Sequence, residues 1–115
     1  MQVDFTGIWK NQHGSALELH VADGIVRGRF ESGVGDDGKI IWVDISGQVL
    51  DNVLTFNAVY PMYGTVVAWV GQHIADKGVG SIKSHWIHAT NLPDDQEMEW
   101  MWYSNRIGSD IFTRA

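Results

Sequence analysis

Small hydrogen-bonding side chains stand beside aromatic rings in four separated stretches of this chain. These are Gly7-Ile8-Trp9-Lys10-Asn11-Gln12-His13-Gly14-Ser15, Gly28-Arg29-Phe30-Glu31-Ser32-Gly33-Val34-Gly35, Ala68-Trp69-Val70-Gly71-Gln72, and Trp102 through Asp110-Ile111-Phe112-Thr113-Arg114. Asn11, Ser15, Ser32 and Asp110 offer donors and acceptors, while indole rings offer walls that exclude water. Together they suit the enclosure of a compact, polar, uncharged ring. Catalysis is not expected. Asp110 has hydroxyls nearby in sequence, but there is no nucleophile–base–orienter set, no cysteine and no phosphate loop. Five histidines raise the question of a metal, yet His85 and His88 lie three apart on a predicted strand and so face opposite sides. No metal site is expected. If His13 and His88 both approach the pocket, imidazole titration makes binding depend on pH.

The elements that position these residues repeat with period 2. Leu17, Leu19 and Val21 alternate with Glu18 and His20, the pattern of a half-buried strand. Turn signals recur at Ala22-Asp23-Gly24, Gly35-Asp36-Asp37-Gly38, Asp51-Asn52, Pro61-Met62-Tyr63-Gly64, Asp76-Lys77-Gly78 and Asn91-Leu92-Pro93-Asp94-Asp95. Between them we read strands over 6–12, 15–22, 25–32, 40–49, 53–60, 64–73, 80–89 and 98–113, and no helix. Short connections imply up-and-down antiparallel order. Eight such strands predict a closed β-barrel holding one small ligand. A two-sheet sandwich would need long crossovers, for which 115 residues in one domain leave no room. Over Thr65–Gly71 both faces are apolar or small: Thr65, Val67 and Trp69 on one, Val66, Ala68 and Val70 on the other. Apolar residues on both faces of one strand predict a subunit interface on the barrel wall.

Composition narrows the partners. A net charge of −6 argues against nucleic acid or an anionic membrane, which would need clustered Lys and Arg. No apolar run approaches the roughly 20 residues of a membrane span. Zero cysteines exclude disulfides. The N-terminus has no basic region followed by an apolar run, so no signal peptide is read there. Six tryptophans in so short a chain point to a pocket or an interface. Of these, Trp42 and Trp100 are read as filling gaps, and Asp94-Asp95-Gln96-Glu97 as a solvated loop.

The four stretches, in this order and spacing, resemble the avidin and streptavidin family of biotin-binding barrels, over nearly the whole chain. The resemblance implies that Asn11 and Ser15 donate to the biotin ureido oxygen, while Asp110 and Ser32 accept the two ureido N–H groups. In a water-poor cavity such hydrogen bonds gain strength. Trp69 and Trp86 resemble the rings around the bicyclic body. Trp102 resembles the tryptophan that one subunit inserts into its neighbour's site, which implies a homo-oligomer, a tetramer ahead of a dimer. Val34 lies in the ligand-closing loop, and the backbone near Asp36, with Thr65, reaches the carboxylate end. Biotin is the implied ligand, no cofactor is implied, and the family suggests a secreted or periplasmic location.

Several positions depart from the family pattern. Phe30 replaces the tyrosine that completes the donor set on the ureido oxygen, Val67 a threonine that contacts the ring sulfur, and Tyr60 a stacking tryptophan. His13 and His88 fall where leucines line the pocket, and Asp36 replaces a neutral residue near the carboxylate end. Loss of one donor costs about 1–3 kcal/mol, or roughly ten- to a hundredfold in affinity. The changes permit weakened biotin binding, a preference for a related ligand, or a barrel that no longer binds biotin and serves as a scaffold. Survival of Asn11, Ser15, Ser32, Asp110 and three of the tryptophans favours the first.

Overall fold

Alternating side chains bury one face of every strand, and the sheet they form curls until its ends meet. The computed structural model describes residues 3–31, 41–76, 78–92 and 105–115. Its strands are β1 Gly7–Asn11, β2 Ala16–Ala22, β3 Ile25–Glu31, β4 Trp42–Leu50, β5 Val53–Tyr60, β6 Thr65–Asp76, β7 Val79–Thr90 and β8 Asn105–Arg114. Each pairs antiparallel with its sequence neighbours, and β1 also pairs with β8, giving the closed eight-stranded up-and-down barrel that the pattern predicts. Closure removes both sheet edges, so no row of backbone groups is left unpaired. Strands β6 and β7 pair from Thr65↔Thr90 to Asp76↔Val79. The closing junction is short, with Trp9↔Arg114, Lys10↔Thr113 and Asn11↔Phe112.

Strand β5 shows the alternation at work. Leu54, Phe56 and Ala58 are buried, whereas Val53, Thr55, Asn57 and Val59 face out. Inward residues from all strands build one core that includes Trp9, Leu17, Leu19, Val26, Phe56, Ile82 and Phe112. Each large apolar side chain buried there contributes about 1.5–3 kcal/mol. The segment before β1 adds to the core at one end. Phe5, preceding β1, is fully buried, and Trp9 Nε1 donates to its carbonyl at 3.0 Å. Arg114 donates to the carbonyls of Thr6, at 2.9 Å, and Asp4, and its guanidinium lies 4.2 Å from the Trp9 ring centre. These contacts tie the leading segment across that end. The opposite end, where β1 finishes and β6 begins, holds a cavity.

The turns follow their residues. Asp23 (φ 52°) and Gly24 (φ 75°) occupy left-handed backbone, the conformation that a two-residue hairpin requires and that Asp and Gly tolerate. Pro61–Tyr63 was expected as a simple turn and forms a single turn of 3-10 helix, closed by the Gly64 N–H to the Pro61 carbonyl at 3.2 Å. Strands β6 and β7 run past their predicted ends because their ladder continues to the Asp76–Val79 pair. The part of the predicted last strand before Asn105 falls outside the described residues.

Outward side chains change character around the barrel. On β2–β4 several are charged: Glu18 accepts from Arg29 Nε at 2.9 Å and pairs with His20 at 3.0 Å, and Arg29 lies 4.1 Å from the Trp42 ring centre. On β5–β8 many are apolar. The outward set on β6 anticipated from sequence is joined by Val59, Ile87, Ile107 and Ile111, with Val70 63% and Ile107 76% exposed on the single chain.

Candidate ligand-binding site

The cavity at the open end has a volume of about 610 Å³. One side is built by the turn after β1. Asn11 Oδ1 accepts the backbone N–H groups of His13 and Ser15, each at 2.9 Å. The turn is closed further by the Asn11 N–H to the Ser15 carbonyl at 3.0 Å. Because Oδ1 is committed to the backbone, the amide NH₂ is the part of Asn11 left to face the cavity it lines. Ser15, buried and also lining the cavity, places a hydroxyl beside that amide.

Beside this turn, on the neighbouring strand, lies Asp110, an inward residue of β8 that is 7% exposed. Its backbone carbonyl accepts from the buried Ser84 hydroxyl at 3.0 Å. One carboxylate oxygen accepts from Gln12 Nε2 at 3.2 Å. The other has no partner among the described residues. A buried carboxylate with a spare oxygen is an acceptor waiting for an N–H.

Aromatic rings form the walls. The β6–β7 register sets Trp69 directly opposite Trp86, and β7–β8 sets Trp86 opposite Gly108. Gly108 leaves room for the indole: a Cβ there would lie 2.2 Å from Trp86 Cζ2. Trp69 stacks on Phe56, with centroids 4.9 Å apart and planes at 19°, and leans on Phe30 at 5.1 Å. Its Nε1 is buried without a hydrogen-bond partner among the described residues, which costs about 1–3 kcal/mol. Phe30 also meets Phe112 edge-on at 6.5 Å and turns a hydroxyl-free ring to the cavity.

The mouth is more polar. Thr65 Oγ1 and Thr90 Oγ1 are 2.9 Å apart, and Thr65 Oγ1 is 3.2 Å from the Tyr63 carbonyl. Tyr60 lies 6.5 Å from Tyr63, ring to ring, and loss of water around its hydroxyl pushes its pKa up. His88 lies 5.8 Å from the Trp86 ring. Burial, and then the Arg106 guanidinium on its cross-strand partner, hold it below the usual imidazole range. His85, three residues earlier, is exposed on the outer face. Among the described residues no group of three His, Asp or Glu side chains gathers where a metal could sit.

The profile of the avidin family matches residues 1–115. The chain belongs to the avidin family. Solved structures agree on the fold. A chicken biotin-binding protein is 21% identical, with a TM-score of 0.83 and 99% and 98% of the two chains covered. Xenavidin is 20% identical, with a TM-score of 0.84 and both chains covered completely. The structure described as AVR2 is 24% identical, with a TM-score of 0.83 over 99% and 97% of the chains. No curated protein sequence matches the chain.

In this avidin-family barrel, Asn11, Ser15, Phe30, Tyr60, Thr65, Val67, Trp69, Trp86, His88 and Asp110 all line one cavity, and His13 joins them. Ser32, Val34, Asp36 and Trp102, also expected there, lie outside the described residues, as does Trp100. Sequence reasoning gave no role to Gln12, Tyr63, Ser84 or Gly108. Gln12 and Asp110 are 98 residues apart, and only barrel closure makes them neighbours. Gly108 was visible as a glycine inside a strand, a sign of close approach, but not as the bed of a particular indole.

Proposed function

We propose that this protein is a non-catalytic binder of biotin. The observation that carries the reading is the gathering, in one tryptophan-walled cavity, of the Asn11 amide, the Ser15 hydroxyl and the Asp110 carboxylate. Donors for one oxygen with an acceptor nearby for an N–H match a cyclic urea, which has a carbonyl oxygen flanked by two N–H groups. Phe30 brings no hydroxyl to the donor side, so the affinity falls below that of an intact donor set by about 1–3 kcal/mol. Titration calorimetry with biotin tests this. A dissociation constant below millimolar, with quenching of tryptophan fluorescence, supports it. A folded barrel with no response refutes it and favours a scaffold.

The apolar outer face of β5–β8 supports assembly with further copies of the chain, a tetramer ahead of a dimer. Side chains such as Val66, Val70, Ile87 and Ile107 form a contiguous exposed patch, and monomeric soluble proteins rarely leave one uncovered. Light scattering coupled to gel filtration reads the mass directly, and a monomer overturns this part. Family membership also favours a secreted or periplasmic location, testable by fractionating the producing cells.

A further inference from the structure

Asp110 faces the cavity with two neighbours that compete for it. Gln12 Nε2 donates to Asp110 Oδ1 at 3.2 Å, and Gln12 Oε1 accepts the Ile111 N–H at 3.0 Å, so this amide is fixed at both ends. The same Nε2 lies 3.2 Å from His13 Nε2, which is 3.9 Å from Asp110 Oδ1. With Gln12 donating, His13 Nε2 has to accept. That requires a neutral imidazole with its proton on Nδ1. Protonation would add an N–H at Nε2 as well and turn two donors toward each other. The His13 side chain is 70% exposed, so little packing opposes its rotation toward the carboxylate.

We propose that His13 and Gln12 are alternative partners of Asp110, and that protonation of His13 weakens Asp110 as the acceptor for a ligand N–H. The inference rests on the reading that Asp110 receives such a group. With neutral His13, Gln12 holds one carboxylate oxygen and leaves the other for the ligand. With protonated His13, a cation moves onto the shared oxygen, displaces the Gln12 amide and neutralises the charge that attracts the ligand. By linkage, ligand binding favours neutral His13, so affinity falls as pH drops through the range, about 5 to 8, where imidazoles titrate. The other titratable or charged groups around the cavity are His88 on β7, its cross-strand partner Arg106 on β8, and Tyr60 and Tyr63 beside the mouth. None of these bonds Gln12.

Biotin affinity measured calorimetrically at pH 8.0 and 5.0 tests the switch. The wild-type constant should weaken about fivefold at pH 5.0, the low end of typical coupling between sites. His13→Leu should flatten the profile to within about twofold, and His13→Gln should do the same, while His88→Leu should keep most of the pH effect. In the ligand-free protein, the Gln12 side-chain amide signal in ¹⁵N spectra should titrate with the midpoint of the His13 ring and stop doing so in His13→Leu. A flat wild-type profile, or a profile that survives His13→Leu, overturns the proposal. So does a Gln12 amide indifferent to His13. Failure of biotin to bind at either pH overturns the ligand assignment instead, and the amide titration then decides the Gln12–His13 exchange alone.

Discussion

A methyl group added at Gly108 would strike the wall of the cavity and leave its polar rim untouched. The Cβ of Gly108→Ala lies 2.2 Å from Trp86 Cζ2, 2.4 Å from Cε2 and 2.9 Å from Nε1. Ordinary contact begins near 3.4 Å, so the indole has to recede by 1.2 Å, the difference between 3.4 and 2.2 Å. Trp86 is only partly buried and borders open cavity, so it has somewhere to go. Overpacking of a closed core costs about 1–3 kcal/mol. Here the lower end applies, further offset by about 0.4–1 kcal/mol because alanine restricts the unfolded chain more than glycine does. Stability should therefore change by about 1 kcal/mol or less. The ligand suffers more, because the displaced ring both loses its stacking position and narrows the space. Together these cost about 1–3 kcal/mol, or ten- to a hundredfold in Kd. Urea unfolding and biotin calorimetry on one preparation measure the two effects. Unchanged affinity with unchanged stability would show that Trp86 does not rest on Gly108. Lost stability with unchanged affinity would show that the ring supports the barrel and does not wall the ligand.

Three further perturbations address other parts of the molecule. Phe30→Tyr adds a hydroxyl at the cavity wall between Trp69 and Phe112 and should tighten biotin binding by about ten- to a hundredfold; an unchanged or weaker Kd would place the hydroxyl away from the ligand. Val70→Glu puts a charge on an outward position that is 63% exposed in the single chain. It should reduce the mass seen by light scattering while leaving the far-ultraviolet strand signal intact, and an unchanged mass would move the interface elsewhere. His88 is held below the usual imidazole range by burial and by Arg106, so the unfolded chain takes up its proton first as pH falls. Its contribution to stability is thus intact above a pH of about 6.5 and declines below it. Urea midpoints at pH 8 and 5.5 should converge in His88→Leu relative to wild type, and an equal gap in both proteins would refute this.

The barrel was legible because its signal is local and repeated. Period-2 alternation, interrupted by turns such as Asp23-Gly24, needs no long-range information, and short connections leave up-and-down pairing as the simple arrangement. Strand ends were less legible, since β6 and β7 extend each other by cross-strand bonds that neither sequence announces alone. The pocket side chains on β6, Thr65, Val67 and Trp69, followed from alternation once the inward face was set. Gln12 did not. It lies in the turn after β1, where no strand period assigns it a face, and its partners sit at the far end of the chain.

By itself, then, the chain of residues determined eight strands and an apolar outer face on β6, because each of these depends on neighbours two positions away; the polar side chains of the pocket were read from the family resemblance. Tertiary structure decided what those side chains do. Closure of β1 against β8 brings Gln12 and His13 to Asp110. The tight turn commits Asn11 Oδ1 to backbone and frees its amide, and cross-strand register lays Trp86 over Gly108. The reason is geometric: a hydrogen bond is set by distances of a few tenths of an ångström, and those distances are summed over every strand of the barrel before its last strand meets its first.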